Sequence, residues 1–260
     1  MPTNFSRFRP ESFAAGEYQS PDYTYMSGCR DSKEVRRSAA APNHRYRTSK
    51  FLDSKTAVDL IQATIHAARI GRPLNRFITI TLVRENIDRL RPQQVIGHFL
   101  RLACQWLCHR GIPPTYIWVL EHRPGSGIHA HILLHCPPYL IQELDRKVRT
   151  AWLRLPGMTV WPGVVKNLSV GRRDAPTDLS APFRDLHYID NLTRLLRYLL
   201  KGMDPSENSS LDLARVKARR RSTATLFRVK TEENNAIAGR RASRSENIGR
   251  RARERGEGKR

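Results

Sequence analysis

Apolar residues in the middle of the chain follow two patterns, which divide it into strands and helices. Residues 77–82 (FITITL) alternate in polarity and are rich in β-branched side chains, which predicts a strand. Residues 116–122 and 128–135 predict two more strands, and the Pro-Gly-Ser-Gly turn at 124–127 predicts that they form a hairpin. Residues 164–170 predict a fourth strand.

Helical patterns surround these strands. Helices are predicted over about 53–71, 92–111, 138–152 and 190–201, where apolar residues recur every three or four positions. The order is therefore β-α-β-β-α-β, with one helix before it and one after it. This is the split βαβ or ferredoxin-like pattern of the α+β class. It predicts an antiparallel sheet with helices on one face and the other face free for ligands.

Charge is distributed unevenly along the chain of 260 residues. The formal net charge is +22, from 46 Lys and Arg against 24 Asp and Glu. Residues 215–260 hold sixteen of the basic residues and only five Glu, so half of the excess lies there. With almost no apolar periodicity, residues 211–260 are predicted to be a basic disordered tail. Residues 1–51 are predicted to be a flexible polar segment, which leaves 52–210 for the folded domain.

This composition limits the compartment and the partners. A strongly basic chain indicates a polyanionic partner, and nucleic acid is the most direct candidate. The longest apolar runs are too short to span a membrane, and the N-terminus has no apolar signal segment. The four scattered cysteines are typical of a reducing compartment. The expected location is the cytoplasm of a bacterium or of a host cell.

The strand at 128–135 carries a candidate metal site. Because strand side chains alternate, His129 and His131 share one face, where two imidazoles can chelate a divalent ion. If the hairpin pairs His122 with Ile128, the Glu121 carboxylate lies opposite His129, with Cβ atoms roughly 5 Å apart. A change of one residue in the turn would instead place His122 opposite His129, and the sequence leaves both registers open.

The neighbouring strand and the last helix supply further candidates. Thr79 and Thr81 are expected on the same sheet face as the histidines, where their hydroxyls could bond phosphate or orient the metal ligands. On the last helix Tyr198 falls outside the leucine stripe, on a side shared with Arg194 and Lys201. A phenol held clear of the core between two cations suits nucleophilic attack on a phosphodiester.

Three segments, in this order along the chain, resemble the HUH endonuclease superfamily and especially its single-tyrosine rolling-circle replication initiators. Residues 77–82 resemble the first motif, a hydrophobic strand with threonines. His129-Ala130-His131 is similar to the His-hydrophobe-His motif that names the superfamily. Tyr198 followed three residues later by Lys201 resembles the third motif. The resemblance covers about residues 75–205.

The resemblance implies a function and a mechanism. Mg²⁺ or Mn²⁺ would be held by His129, His131 and Glu121, and Tyr198 would attack single-stranded DNA at a replication origin. The products would be a 5′-phosphotyrosine on the protein and a free 3′-hydroxyl. The 3′-hydroxyl would prime a host DNA polymerase, and a host helicase would be a second partner. Lys201 would assist Tyr198. DNA contacts are expected from a set of polar residues: Arg194, Thr79, Thr81, Arg172 and Arg173.

Two alternatives remain open from the sequence. A single-tyrosine transposase or a relaxase would use the same chemistry in another biological setting. A non-enzymatic nucleic-acid-binding module could also be built on a ferredoxin-like sheet, although such a module would be expected to present aromatic residues on its open face. This chain presents histidines there.

Overall fold

The protein was studied as a computed structural model, which describes residues 48–82, 92–125, 127–150, 152–153, 163–171, 182, 184–204, 206 and 236–257. Contacts divide the chain into two units, Met1–Ser38 and Ala39–Arg260, and all of the described residues belong to the second. Among the described residues, no helix has both the length and the apolarity that crossing a membrane requires.

The described elements follow the predicted order. They are β1 (Thr48–Ser49), α1 (Ser54–Arg69), β2 (Arg76–Leu82), α2 (Pro92–Cys108), β3 (Tyr116–Arg123), β4 (Gly127–Leu134), α3 (Ile141–Thr150), β5 (Val165–Ser169), α4 (Leu186–Leu200), β6 (Ile237–Ala238), β7 (Ala242–Arg244) and α5 (Arg250–Glu257). Short 3₁₀ turns precede α3 and α5.

The main sheet confirms the predicted α+β class. Five antiparallel strands are ordered β5-β2-β4-β3-β7. The four strands predicted from the sequence thus lie in the order fourth, first, third, second, which is compatible with a ferredoxin-like fold. The helix boundaries also follow local chemistry. Asp53 caps α1 by accepting from the amide of Thr56 at 2.8 Å, and Gly71 ends that helix with a φ of 72°.

Helices cover both faces of the sheet, which differs from the prediction of one open face. On one face, Ile80, Ala130 and Ile132 pack against α2 and α3. On the other face, Phe77, Val119 and Leu133 pack in a second core with α1 and α4. The leucine stripe of α4 supplies this second core: Leu196, Leu199 and Leu200 are buried. The histidine-bearing face is therefore largely covered.

The C-terminal segment is the largest difference from the sequence prediction. Residues 236–257, expected within a disordered tail, form β6, β7 and α5. β7 pairs with β3 as the fifth strand of the sheet, and β6 pairs with β1, which lies in the segment predicted to be flexible. Asp59 on α1 accepts ion pairs from Arg244 at 2.8 Å and Arg253 at 2.6 Å. The folded domain thus includes 236–257, which is held by backbone pairing, by ion pairs and by a few buried apolar residues such as Ile237 and Ile248.

Candidate active site

The two histidines of β4 are held by the two threonines of β2. The register places Thr79 opposite His131 and Thr81 opposite His129. The Oγ1 of Thr79 lies 3.2 Å from Nδ1 of His131, and the Oγ1 of Thr81 lies 3.4 Å from Nδ1 of His129. The two rings are stacked, with centroids 6.2 Å apart. Each threonine therefore orients one ring and leaves Nε2 directed away from β2.

The hairpin register is the one that places Glu121 beside the histidine pair. His122 pairs with Ile128 and Glu121 pairs with His129, as expected for a carboxylate on the histidine face. His122 lies on the opposite face, where its Nδ1 is 3.2 Å from the carbonyl of Ala236. His122 is therefore excluded as a third ligand beside the histidine pair. The Glu121 carboxylate reaches diagonally, with Oε2 at 3.0 Å from Nε2 of His131.

Glu121 also binds two cations. Its Oε1 forms an ion pair with Nζ of Lys201 at 2.9 Å and accepts from Nε of Arg123 at 2.6 Å. The side chains of Glu121 and Lys201 are both almost fully buried. Burial alone would raise the pKa of Glu121, but the hydrogen bonds from His131, Lys201 and Arg123 together lower that pKa to about 2. Glu121 is therefore ionised at any physiological pH.

The environment of His131 favours its neutral form. Burial lowers the pKa of His131 below its usual value, against the opposing effect of Glu121. Because ionised Glu121 can only accept, Nε2 of His131 donates to it, and Nδ1 then accepts from the Thr79 hydroxyl. If Nε2 ligated a metal, Nδ1 would carry the proton and donate to the same hydroxyl. Thr79 can therefore serve both tautomers.

Tyr198 lies directly beside this cluster. Its side chain is 38% exposed, although it belongs to a helix whose leucines are buried. The Tyr198 ring is 5.0 Å from the ring of His131, and Nζ of Lys201 lies 3.7 Å from the ring centroid. The guanidinium of Arg123 is 6.0 Å from the same ring. The predicted nucleophile, its lysine and the histidine pair therefore meet in one place, although they lie far apart in the sequence.

Of the predicted DNA-contacting arginines, Arg194 is among the described residues, and it is not part of this cluster. Arg194 is on an exposed part of α4, and its guanidinium pairs with Asp190 at 2.8 Å. Arg172 and Arg173 lie outside the described residues. Thr79 and Thr81 do lie at the site, where they contact the histidines.

Two arginines at the site were missed by the sequence interpretation. Arg123 follows Glu121 by two residues on the same strand, so alternation alone places both on the same face. Arg241 precedes β7, and its guanidinium donates to the carbonyl of Ser49 at 2.8 Å. Burial lowers the pKa of Arg241 to about 10, against the charge of Glu121. The sequence held no signal for Arg241, because its segment was interpreted as disordered.

The donor set suits a divalent ion in its chemistry, but its side chains are engaged with one another. Two imidazoles and a carboxylate are a common ligand set for Mn²⁺ and related metals. Within the ranges that the structure describes, no three His, Cys, Asp or Glu side chains are arranged as ligands of one metal ion. Glu121 instead bonds His131, Lys201 and Arg123. Metal binding would require Glu121 to exchange these partners.

A second tyrosine on α4 has a structural role. Tyr188 is buried, and its hydroxyl donates to the carbonyl of Leu74 at 3.2 Å. Burial raises the pKa of this phenol. Of the two tyrosines on α4, only Tyr198 is accessible to a substrate.

Comparison with known proteins finds no relative of this chain. No family model, no curated protein and no solved structure matches the chain. The geometry and chemistry of the site are therefore the basis for its function.

Proposed function

We propose that this protein is a metal-dependent nuclease of the HUH type, which nicks and rejoins single-stranded DNA through Tyr198. The observation that carries the proposal is the placement of the exposed Tyr198 ring 5.0 Å from His131 and 3.7 Å from the Lys201 ammonium. A β-strand histidine pair beside a solvent-accessible phenol is an arrangement suited to phosphoryl transfer. In this proposal the sheet is the ferredoxin-like core of an HUH domain.

The residues that would hold the metal are His129, His131 and Glu121. A bound Mg²⁺ or Mn²⁺ would polarise the scissile phosphate and stabilise its developing charge. Thr79 and Thr81 would keep both imidazoles oriented, because a hydroxyl at Nδ1 fixes the ring and leaves Nε2 as the ligand atom.

Tyr198 would carry out the covalent step. Its phenolic oxygen attacks the phosphorus and loses its proton, and the bond from phosphorus to the 3′-oxygen breaks. The leaving 3′-oxygen takes up a proton and becomes a free hydroxyl. The phosphate stays on Tyr198 as a 5′-phosphotyrosine, so the reverse reaction can rejoin the strand without another energy source.

Lys201 and Arg123 would supply positive charge at the reacting phosphate. Both contact Oε1 of Glu121, and both lie beside the Tyr198 ring. If Glu121 turned to a metal, both cations would become available to the phosphate oxygens. In the biological setting we propose, the free 3′-hydroxyl at a replication origin primes a host polymerase for rolling-circle replication.

The decisive experiment is the capture of a covalent adduct. The protein is incubated with Mn²⁺ and a labelled pool of randomised single-stranded DNA, and denaturing gels are examined for labelled protein. We expect an adduct with the wild type and with Tyr139→Phe, which removes an exposed hydroxyl elsewhere, but none with Tyr198→Phe. An adduct on Tyr198→Phe would contradict the assignment of the nucleophile.

The same assay separates the enzyme from a binding module. If the protein binds the single-stranded DNA but forms no adduct with either Mn²⁺ or Mg²⁺, the non-enzymatic binding module is favoured. Mn²⁺ binding, followed by electron paramagnetic resonance without DNA, tests the ligands independently of activity. We expect His129→Ala to weaken Mn²⁺ binding at least tenfold, whereas His109→Ala, at an exposed turn, should leave it unchanged.

A further inference from the structure

The edge strand β5 continues the histidine face beyond its helical cover. The register places Lys166 opposite Thr79 and Leu168 opposite Phe77, so both β5 side chains lie on the face that carries His131. Phe77 is 6% exposed, whereas Leu168 is 56% exposed, and Lys166 is exposed as well. Helices α1 and α4 therefore cover the centre of this face and leave its β5 edge open.

The charge of Lys166 distinguishes it from the other cations near the site. Lys201 and Arg123 are paired with Glu121, and Arg194 is paired with Asp190. Lys166 forms no ion pair with any carboxylate among the described residues, which leaves its ammonium available to an anion from solution.

Phe77 links the β5 edge to the proposed nucleophile. The rings of Phe77 and Tyr198 are in edge contact, with centroids 6.2 Å apart, and Leu168 is the cross-strand neighbour of Phe77. Lys166 and His131 both pair with Thr79, from opposite sides of β2. At the usual strand spacing, the backbones of Lys166 and His131 are therefore about 10 Å apart. A strand of nucleic acid with a phosphate at Tyr198 can therefore extend over β5.

We propose that Lys166 and Leu168 form a subsite for the nucleotide next to the scissile phosphate, in single-stranded DNA. Lys166 binds the flanking phosphate, and Leu168 packs against the unpaired base. This subsite rests on the proposed function for its location beside Tyr198. An exposed apolar side chain next to an unpaired lysine favours a single strand, because the base faces of a duplex are stacked on one another and inaccessible.

The test measures binding without cleavage, in the Tyr198→Phe background. Fluorescence anisotropy with a labelled single-stranded DNA pool gives the dissociation constant at several salt concentrations. We expect Lys166→Ala to reduce the slope of log affinity against log salt by about 0.7, the value for one phosphate contact on a single strand. Lys166→Arg should retain the slope. Lys147→Ala is the control, because that lysine belongs to α3 on the opposite face.

Leu168→Ser should weaken binding several-fold and leave the salt slope unchanged, because this change removes a base contact and no charge. An unchanged slope for Lys166→Ala, or an equal effect of Lys147→Ala, would overturn the subsite. Tighter binding of a matched duplex or of single-stranded RNA would overturn the choice of substrate. If Lys166→Ala lowers the slope while no adduct forms on Tyr198, the subsite stands and the proposed chemistry fails.

Discussion

At the scale of single residues, Glu121 organises the site. One carboxylate oxygen binds His131, and the other binds Lys201 and Arg123. Three side chains from β3, β4 and the end of α4 therefore depend on one acid. Because Glu121 and Lys201 are almost completely buried, loss of the acid would leave the Lys201 ammonium without its partner in a poorly solvated place.

Glu121→Gln is therefore expected to destabilise the domain. We expect the free energy of unfolding to fall by about 3 kcal/mol, as for other broken buried ion pairs. Urea denaturation followed by circular dichroism measures this change. Asp190→Asn is the matched control, because the pair between Asp190 and Arg194 is exposed and should contribute less than about 1 kcal/mol.

A double-mutant cycle checks the cause. If the loss comes from the unpaired ammonium of Lys201, then adding Lys201→Met to Glu121→Gln should cost less than the sum of the two single changes. Strictly additive losses would show that Glu121 and Lys201 are not coupled.

His135 gives an expected pH dependence of stability. Burial lowers the pKa of His135, whose Nδ1 is 2.9 Å from the carbonyl of Pro73. His135 therefore binds a proton less readily in the folded state than in the unfolded chain, where its pKa is about 6.5. The stabilisation is complete above about pH 6.5 and is lost as the pH falls below it.

We expect the free energy of unfolding to fall as the pH decreases below about 6.5, and to fall less steeply in His135→Gln. His109→Gln, at an exposed position, should keep the wild-type slope. A His135→Gln variant with the full wild-type slope would contradict the assignment. Urea titrations at several pH values provide the measurement.

At the scale of secondary structure, the C-terminal segment is attached by ion pairs as well as by the buried side chains of Ile237 and Ile248. Arg244 on β7 and Arg253 on α5 both pair with Asp59 on α1, and the Arg253 side chain is only 12% exposed. Backbone pairing of β7 with β3 adds to this attachment. Asp59 thus links two elements of the C-terminal segment to one helix.

Asp59→Asn should loosen these two elements before the rest of the domain. We expect amide hydrogen exchange in β7 and α5 to become about tenfold faster or more, which corresponds to about 1.4 kcal/mol. Glu254→Gln removes an exposed pair with Arg250 and should have little effect. Equal acceleration in β2 and β4 would show that Asp59 stabilises the whole domain rather than this segment.

The same elements show what the sequence could and could not predict. β2, β3 and β4 carry clear alternation, so the faces of these strands and the leucine stripe of α4 are confirmed. The hairpin register, which the sequence left open, is the one that pairs Glu121 with His129. β7 is only three residues long and has one buried apolar residue, Ala242. A strand that short has no measurable period. The cover over the histidine face was missed because periodicity identifies the buried side of a helix but not the surface that it packs against.

At the scale of the whole molecule, part of the positive charge serves the fold. Arg241, Arg244 and Arg253 belong to the region interpreted as a basic arm, yet each makes contacts inside the domain. Net charge along a sequence therefore does not separate residues that bind a partner from residues that pair internally.

Removal of residues 236–260 tests this role. A disordered arm could be removed without loss of stability, whereas this truncation deletes β7 and Arg241. We expect the thermal unfolding midpoint to fall by about 10 °C or more, since each 1 kcal/mol corresponds to about 2–4 °C at this size. Removal of 258–260 alone is the control. An unchanged midpoint for the longer truncation would contradict the place of β7 in the sheet.

The pairing of β7 with β3 also has a consequence for how the domain reaches its final state. The backbone amide of Tyr116 donates to the hydroxyl of Ser245, a contact that joins residues 129 positions apart. Contacts at such separations form slowly, because a long loop must close first. While a nascent chain lacks β7, the outer edge of β3 has unpaired backbone groups beside Glu121, and open edges attract other strands. The strand that carries the central carboxylate is therefore open to aggregation until the chain has returned to cover it.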